Sequence, residues 1–298
     1  MSMFSTRNRR RAADSQDASS TDLPELPEGA LDQPEPEGER ITGNAPPPPE
    51  NIVVEMREVH KSFGSKHILK GINLSLERGT SAVVLGGSGT GKSVLTKHVV
   101  GLLSPTKGEV WVLGDRVDLM TQQQLDRKRL SLGYLFQGGA LFDSMTVYGN
   151  MRFFLDRHTS LSKAEKDDLI MDSLENVNLP GTRDQYPAEL SGGQKKRIGL
   201  ARTLILQPDI ILYDEPTTGL DPVSVRVVSE LIVKLRDERG ISSIAITHDL
   251  LAAEIITDRA HFLMDGQIVA TGTLAEVRNS ELPALQEFFR GTEAYGSA

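Results

Sequence analysis

Short apolar runs separated by helical patterns dominate most of the chain. Alternation of apolar and polar residues in NIVVEMREVHKSF predicts a strand. The β-branched runs SAVVLGG, DIILYDEP and SSIAITHD predict buried parallel strands. The segment AHFLMDGQIVATG predicts a hairpin that turns at Asp265 and Gly266.

Helical patterns lie between these strands. They cover roughly 161–177, 191–206 and 223–239, and a further helix is predicted from Lys92 until Ser104 and Pro105 stop it. Because strands alternate with helices, the pattern predicts an α/β fold with a mostly parallel, doubly wound sheet. No internal repeat occurs at a fixed period, so we expect one copy of the domain.

The two ends of the chain differ from this pattern. Residues 1–50 are rich in proline and acidic residues, and they have too little apolar surface to fold, so we expect a disordered tail. Its basic tip is suited to contact anionic lipid or a partner, but a solvated tail is the simpler interpretation. Near the C-terminus, helical spacing predicts a helix that packs on its own domain or contacts a partner subunit; its apolar residues are Leu282, Leu285, Phe288 and Phe289.

The composition and charge of the chain argue against several classes of function. A net charge of −8 gives no support to nucleic-acid binding. The absence of cysteine excludes disulfides and thiolate metal sites, and it suits a reducing cytoplasm. No run approaches the roughly 20 apolar residues that span a bilayer. The arginines near the N-terminus precede no apolar segment, so we do not expect a secretory signal.

A phosphate-binding loop follows the SAVVL strand. GGSGTGKS fits the pattern G-x-x-x-x-G-K-S/T between a strand and a helix. Its glycines let backbone N–H groups face a phosphate, the lysine supplies a point charge, and the final serine is a Mg²⁺ ligand. The predicted nucleotide-binding residues are Gly86, Gly87, Ser88, Gly89, Thr90, Gly91, Lys92, Ser93 and Val94.

Two carboxylates end the apolar strand IILYD. Open α/β sheets bind ligands at the carboxyl ends of their strands. We therefore expect Asp214 to hold Mg²⁺ and Glu215 to act as the general base that orients water toward the γ-phosphate.

The segment LSGGQKKRIGLAR, Leu190 to Arg202, resembles the signature of ATP-binding-cassette (ABC) proteins. The resemblance spans about 52–272. It implies that Phe63 stacks on adenine, although a tyrosine is more usual there, that Gln137 is the Q-loop glutamine and Mg²⁺ ligand, and that His248 is the switch histidine. It adds to the ATP-binding set the signature residues Ser191, Gly192, Gly193 and Gln194, and Asp221 of the GLDP motif. Catalysis is expected to use Glu215, His248, Gln137 and Lys92.

This resemblance also implies an architecture. It is an ABC-type nucleotidase with a RecA-like core, an antiparallel β subdomain and an inserted helical subdomain. The expected divisions are a tail at 1–50, the ATPase domain at 51–274 with the helical subdomain at about 138–200, and a C-terminal helical tail at 275–298. ATP and Mg²⁺ are the expected cofactors. A homodimer is expected, since the phosphate loop of one copy faces the signature of the other across ATP.

The finer resemblance is to the ATPases of Mla/Mce-type lipid transporters. It rests on Ser-Val after Lys92, on GGALF after Gln137 and on LPALQEFFRG near the end. It implies a separate membrane permease, an Mce-domain substrate-binding protein, a STAS-domain partner in some systems, and a peripheral position on the cytoplasmic face of the inner membrane. The alternatives are an ATPase for amino-acid or other small-solute import, and a non-transport ABC ATPase.

Five apolar residues follow or flank Gln137 in LFQGGALFDSMTVYGN. We expect them to line or support the groove that receives a coupling helix of the permease. The alternative is that they form the core of the helical subdomain, above all Leu141 and Met145. The five residues are Phe136, Leu141, Phe142, Met145 and Tyr148.

Overall fold

The computed structural model describes residues 45–296, and their side chains as far as 291, so residues 1–44 of the tail predicted at 1–50 lie outside the described residues. The strands are β1 (Ile52–Phe63), β2 (Lys66–Glu77), β3 (Ser81–Leu85), β4 (Lys107–Val112), β5 (Asp115–Arg116), β6 (Leu132–Leu135), β7 (Ile210–Asp214), β8 (Ser242–Ile246), β9 (Arg259–Met264) and β10 (Gln267–Gly272). The helices are α1 (Lys92–Val99), α2 (Gln122–Lys128), α3 (Val147–His158), α4 (Lys163–Asn176), α5 (Gly192–Leu204), α6 (Pro222–Arg239), α7 (Leu250–Ile256), α8 (Leu274–Arg278) and α9 (Pro283–Gly296).

The central sheet has the strand order β10-β9-β3-β8-β7-β6. Strands β9, β3, β8, β7 and β6 are parallel, and β10 joins them as an antiparallel edge. The prediction of a mostly parallel sheet is therefore confirmed. Because helices or a second sheet cover both faces, β3 and β8 are buried at every position and do not alternate between buried and exposed residues.

Successive residues of the inner strands enter two different cores. Val83 and Leu85 of β3 pack with α5, α6 and α7 on one face. Ala82 and Val84 face the opposite way, toward α1 and the second sheet. That sheet is antiparallel, with the order β2-β1-β4-β5. Because successive side chains of a strand point to opposite faces, the central sheet contributes to the core on each of its two faces.

A third apolar cluster lies among α3, α4 and α5. Thr146, Ser162 and Ser191 cap the three helices with their hydroxyl groups, each accepting a backbone N–H of the first turn. The cluster occupies much of the stretch predicted as a helical subdomain, while α5 continues to Leu204. None of the helices among residues 45–296 has the length and apolar character of a membrane span.

The predicted end of α1 is wrong. The helix ends at Val99, and not at Ser104 and Pro105, because Gly101 adopts a left-handed conformation with φ of 63°. The N–H of Leu102 then donates to the carbonyl of Lys97 at 2.9 Å, and that of Gly101 to His98 at 3.1 Å. This pair of bonds is the usual glycine-dependent helix stop.

Two other predictions are confirmed. Asp265 and Gly266 have φ of 49° and 79°, as a type I′ turn between β9 and β10 requires. At the C-terminus, Leu285 and Phe289 of α9 are buried in the core of their own chain, while Leu282 is exposed. The described part of α9 therefore packs on its own domain.

Candidate functional site

The phosphate loop lies at the carboxyl end of β3. Gly86, Gly89 and Gly91 have φ of 151°, 75° and 105°, values that L side chains rarely adopt. A Cβ on Gly86 would lie 2.2 Å from the carbonyl oxygen of Leu263, so the loop also needs glycine for space. The loop therefore combines a tight backbone with the start of α1, which is the arrangement that binds phosphate.

Lys92 is folded back over this loop. Its Nζ donates to the carbonyls of Gly86 and Gly87, both at 2.8 Å. Burial lowers the pKa of Lys92, and the carboxylates of Glu215 and Asp214 oppose that shift. The ammonium is thus held at the floor of the site by bonds that an incoming phosphate can replace.

A cleft of about 550 Å³ opens above the loop. The carboxyl ends of β3, β6, β7 and β8 all contribute to it, as expected for an α/β sheet. Most of the predicted phosphate and catalytic residues line it, namely Gly86, Gly87, Ser88, Gly89, Gly91, Lys92, Ser93, Val94, Gln137, Asp214, Glu215 and His248. Thr90 is on the loop beside this cleft and donates to the carbonyl of Gly87 at 3.0 Å.

Asp214 bridges the phosphate loop and the sheet. The Ser93 hydroxyl donates to its Oδ1 at 3.2 Å, and the Tyr134 hydroxyl donates to its Oδ2 at 3.1 Å. Among residues 45–296 no cluster of three or more His, Asp or Glu side chains forms a complete metal cage. A serine hydroxyl and one carboxylate nevertheless fit Mg²⁺, which is held by few protein ligands and completes its shell with phosphates and water.

Glu215 has a strained backbone, with φ of 53°. Its Oε2 accepts from the Thr218 hydroxyl at 3.0 Å and lies 2.8 Å from Nδ1 of His248. The glutamate side chain is 15% exposed and that of the histidine 57%. A sheltered carboxylate paired with an accessible imidazole therefore faces the cleft.

The signature residues do not line this cleft. Ser191 caps α5, and Gln194 completes a capping box with the backbone of Ser191. Asp221 caps α6 by accepting the N–H groups of Val223 and Ser224, both at 3.0 Å. Gly192 and Gly193 open the first turn of α5. One copy of the chain therefore keeps the signature and the phosphate loop apart.

Phe63 also lies outside the lining of the cleft. Its side chain is 49% exposed. The ammonium of Lys61 lies 5.1 Å from the ring centroid, so one face of the ring carries a cation–π contact.

Several residues at the site were not predicted from the sequence. The buried Lys196 of α5 donates to the carbonyls of Gln137 and Glu215, and thereby joins two site loops. Ile68 and Phe288 line the cleft. Apolar spacing predicted the helix that bears Phe288, but no local signal indicated that it would reach the nucleotide cleft.

The comparison with protein families agrees with this geometry. Residues 69–218 match the model described as ABC transporter. The chain belongs to the ABC transporter family.

The curated relatives of this ABC ATPase match most of its length. It is 39% identical over 259 residues to protein Trigalactosyldiacylglycerol 3, chloroplastic, of Arabidopsis thaliana, covering 81% of this chain and 74% of the relative. It is 37% identical to the "probable ribonucleotide transport ATP-binding protein mkl" of Mycobacterium leprae, with coverage of 82% and 70%. It is 35% identical to the "intermembrane phospholipid transport system ATP-binding protein MlaF" of Escherichia coli, with coverage of 80% and 89%.

A solved cassette has the same fold. The dimeric post-hydrolysis structure of the ATP-binding cassette MJ0796, bound to ADP and Pi, superposes with a TM-score of 0.68 at 29% identity, covering 74% of this chain and 98% of the other. The predicted α/β cassette fold, the nucleotide as ligand and the ATPase activity of this ABC protein are thereby confirmed.

Proposed function

We propose that this ABC ATPase supplies the energy for lipid transport, and specifically for phospholipid transport, through a separate membrane permease. The observation that carries the proposal is the cleft joining Lys92, Asp214, Glu215 and His248 in a chain that is 35% identical to a phospholipid transport ATPase. The chain has the site for ATP hydrolysis, and its similarity to the phospholipid transport ATPase suggests the cargo.

The chain's own residues have separable roles in this proposal. Lys92 binds the β- and γ-phosphates, replacing its bonds to the loop carbonyls with bonds to phosphate oxygens. Glu215 accepts the proton of the attacking water, and His248 contacts the γ-phosphate from the next strand end. Gln137 faces the same space from the end of β6.

Mg²⁺ fits at Ser93 and Asp214, with Gln137 as a third ligand on the same cleft. Held by these residues, the ion would neutralise the charge that develops on the phosphates during transfer. Ser93 and Asp214 are already within hydrogen-bond distance, so the protein holds this ligand pair in place before nucleotide arrives.

A second copy of the chain completes the site. Ser191 and Gly193 lie at the exposed start of α5, away from the cleft of their own chain, where unpaired N–H groups and the helix dipole favour a phosphate. We therefore propose a homodimer in which each signature meets the nucleotide of the partner. Phe63 stacks on the adenine, and Asp221 shapes the loop at the same interface.

The permease docks on the face that follows Gln137. Phe136 and Phe142 are 42% and 38% exposed, which is unusual for neighbouring large apolar side chains. Leu141 and Tyr148 are partly buried against the helical cluster and support this face from beneath. An Mce-domain protein, a STAS-domain partner and a position on the cytoplasmic face of the inner membrane complete the proposed assembly.

The decisive variant for hydrolysis is Glu215→Gln. It keeps the size of the side chain and removes the base, so turnover falls by about two to four orders of magnitude while ATP is still bound. ATP then traps a stable dimer, measured by light scattering. Hydrolysis near the wild-type rate, or a monomer in saturating ATP, contradicts the assignment.

The cargo is tested by purifying the complex from native membranes and identifying bound proteins and lipids by mass spectrometry. A permease with bound phospholipid supports lipid transport. A solute-binding import complex without lipid favours the second candidate function, small-solute import. The observation behind this candidate is that the mycobacterial relative is named a probable ribonucleotide transport protein. Recovery without any membrane protein favours a non-transport ATPase.

A further inference from the structure

Tyr134 lies beneath the catalytic cleft and belongs to none of the motifs described above. It is on β6, which pairs in parallel with β7, and it stands opposite Leu212 in that ladder. Its hydroxyl lies within hydrogen-bond distance of two side chains, Oδ2 of Asp214 at 3.1 Å and Oγ1 of Thr96 at 3.0 Å. The hydroxyl therefore reaches both the strand that ends in the acidic pair and the helix that follows the phosphate loop.

The two oxygens of Asp214 have different partners. Oδ1 accepts from Ser93, the proposed metal ligand of the phosphate loop, whereas Oδ2 accepts from Tyr134. A tyrosine phenol keeps its proton at neutral pH, so the Tyr134 hydroxyl can donate to this oxygen. A carboxylate held at both oxygens has a defined plane, while a carboxylate held at one is free to rotate.

The ring of Tyr134 is itself held in place. It packs on Phe136 with 4.3 Å between the ring centroids and an interplanar angle of 38°. Phe136 directly precedes Gln137 and is part of the exposed face assigned to the permease. Thr96, the other neighbour of the hydroxyl, is completely buried and also bonds the carbonyl of Ser93.

We propose that Tyr134 is a positioning residue for the metal site, whose hydroxyl orients the carboxylate of Asp214 toward the Mg²⁺ that accompanies ATP. This inference rests on the proposed role of Asp214. It adds a residue that touches neither the nucleotide nor the reacting water and acts through the ligand. Loss of such an outer partner weakens metal binding by about 10- to 100-fold in other sites.

Tyr134→Phe tests the inference because it removes only the hydroxyl. The affinity for a fluorescent ATP analogue is measured in Mg²⁺ and again in EDTA. The affinity in Mg²⁺ divided by the affinity in EDTA reports how much the metal site contributes to binding. We expect the ratio to fall at least about ten-fold, with the affinity in EDTA unchanged. In steady-state assays the Mg²⁺ concentration that gives half-maximal rate rises by a similar factor.

Two further variants make the result interpretable. Ser243→Ala removes another buried hydroxyl bond of the same sheet, from Ser243 to Ser81 at 2.9 Å, and we expect it to leave the ratio unchanged. Thr96→Val removes the second partner of the phenol and keeps Tyr134, so it lowers the ratio by less than Tyr134→Phe. It also keeps the inference testable if Tyr134→Phe does not fold.

The outcomes separate the inference from the function on which it rests. If Asp214→Asn lowers the ratio but neither Tyr134→Phe nor Thr96→Val does, the positioning role is refuted and the metal site stands. If Asp214→Asn has no effect on the ratio, the proposed metal ligand is wrong and the inference fails with it. An equal loss in Tyr134→Phe and Ser243→Ala would also refute the positioning role, since it would reflect general destabilisation.

Discussion

Arg202 stabilises the turn that leads from Gln137 to the proposed docking face. Gly139 and Ala140 both have left-handed backbones, with φ of 76° and 49°. The guanidinium donates to their carbonyls, from Nη2 to Gly139 at 3.0 Å and from Nη1 to Ala140 at 2.8 Å. Its side chain is buried, and its pKa is lowered by burial to about 10, so it is still charged at neutral pH. The perturbation that removes these bonds while keeping an apolar stem is Arg202→Met.

The size of the effect follows from the two carbonyls. Gly139 is buried, so its carbonyl would lose a charged donor without gaining access to water, which costs about 1–3 kcal/mol. Ala140 is exposed, and water can replace its bond at a cost of about 0.5–1.5 kcal/mol. We therefore expect Arg202→Met to lower the free energy of unfolding by about 2–4 kcal/mol, a large part of the stability of a domain.

Urea denaturation followed by circular dichroism measures this loss. The matched control is Arg197→Met on the same helix, because Arg197 donates to one carbonyl only, that of Val177 at 2.7 Å. The control should lose about half as much. Arg202→Lys keeps the charge but not the fork that reaches both carbonyls, so its loss should lie between those of wild type and methionine. A loss in Arg202→Met below about 1 kcal/mol, or no larger than in Arg197→Met, would refute the reasoning.

Three further predictions concern other parts of the fold. Burial lowers the pKa of His261 to about 4, so between pH 6.5 and about 4 only the unfolded chain takes up this proton. The contribution of neutral His261 to the free energy of unfolding is therefore complete above pH 6.5 and about 2 kcal/mol smaller at pH 5. Urea titrations of His261→Gln should show a free energy of unfolding that varies less with pH than in wild type, and an unchanged pH profile contradicts this. Leu285→Ala should cost about 2–5 kcal/mol in urea, because Leu285 of α9 is fully buried, whereas the exposed Leu282→Ala should cost little; equal losses contradict the packing of α9. Phe142→Asp should retain nucleotide binding and lose the permease on co-purification, and a collapsed fold would instead assign Phe142 to the core.

Local chemistry explains what the sequence predicted correctly. The phosphate loop needs glycines at positions of positive φ and a lysine at a set distance from them, and both requirements are visible as a motif. The hairpin at Asp265 and Gly266 is likewise a two-residue property. The buried strands were recognised because β3, β7 and β8 are mostly apolar and lack the alternation of a half-exposed strand, as strands covered on both faces do.

The incorrect end of α1 has a local cause as well. Both Gly101 and Pro105 can stop a helix, and the sequence does not rank them. The structure selects Gly101, because its left-handed conformation lets two backbone N–H groups pair with the last carbonyls of the helix. The helices predicted over 161–177, 191–206 and 223–239 end within about two residues of their predicted bounds.

By itself, the sequence determined the α/β class, the nucleotide and the family, because each depends on residues that are near neighbours along the chain. Only the tertiary structure decided which side chains meet. Ser93 and Asp214 are 121 positions apart, and Tyr134 and Asp214 are 80 apart. These contacts depend on β3, β8, β7 and β6 lying side by side in that order, with their carboxyl ends at one edge of the sheet. Strand order arises from long-range pairing and from packing on both faces, and no local pattern specifies it.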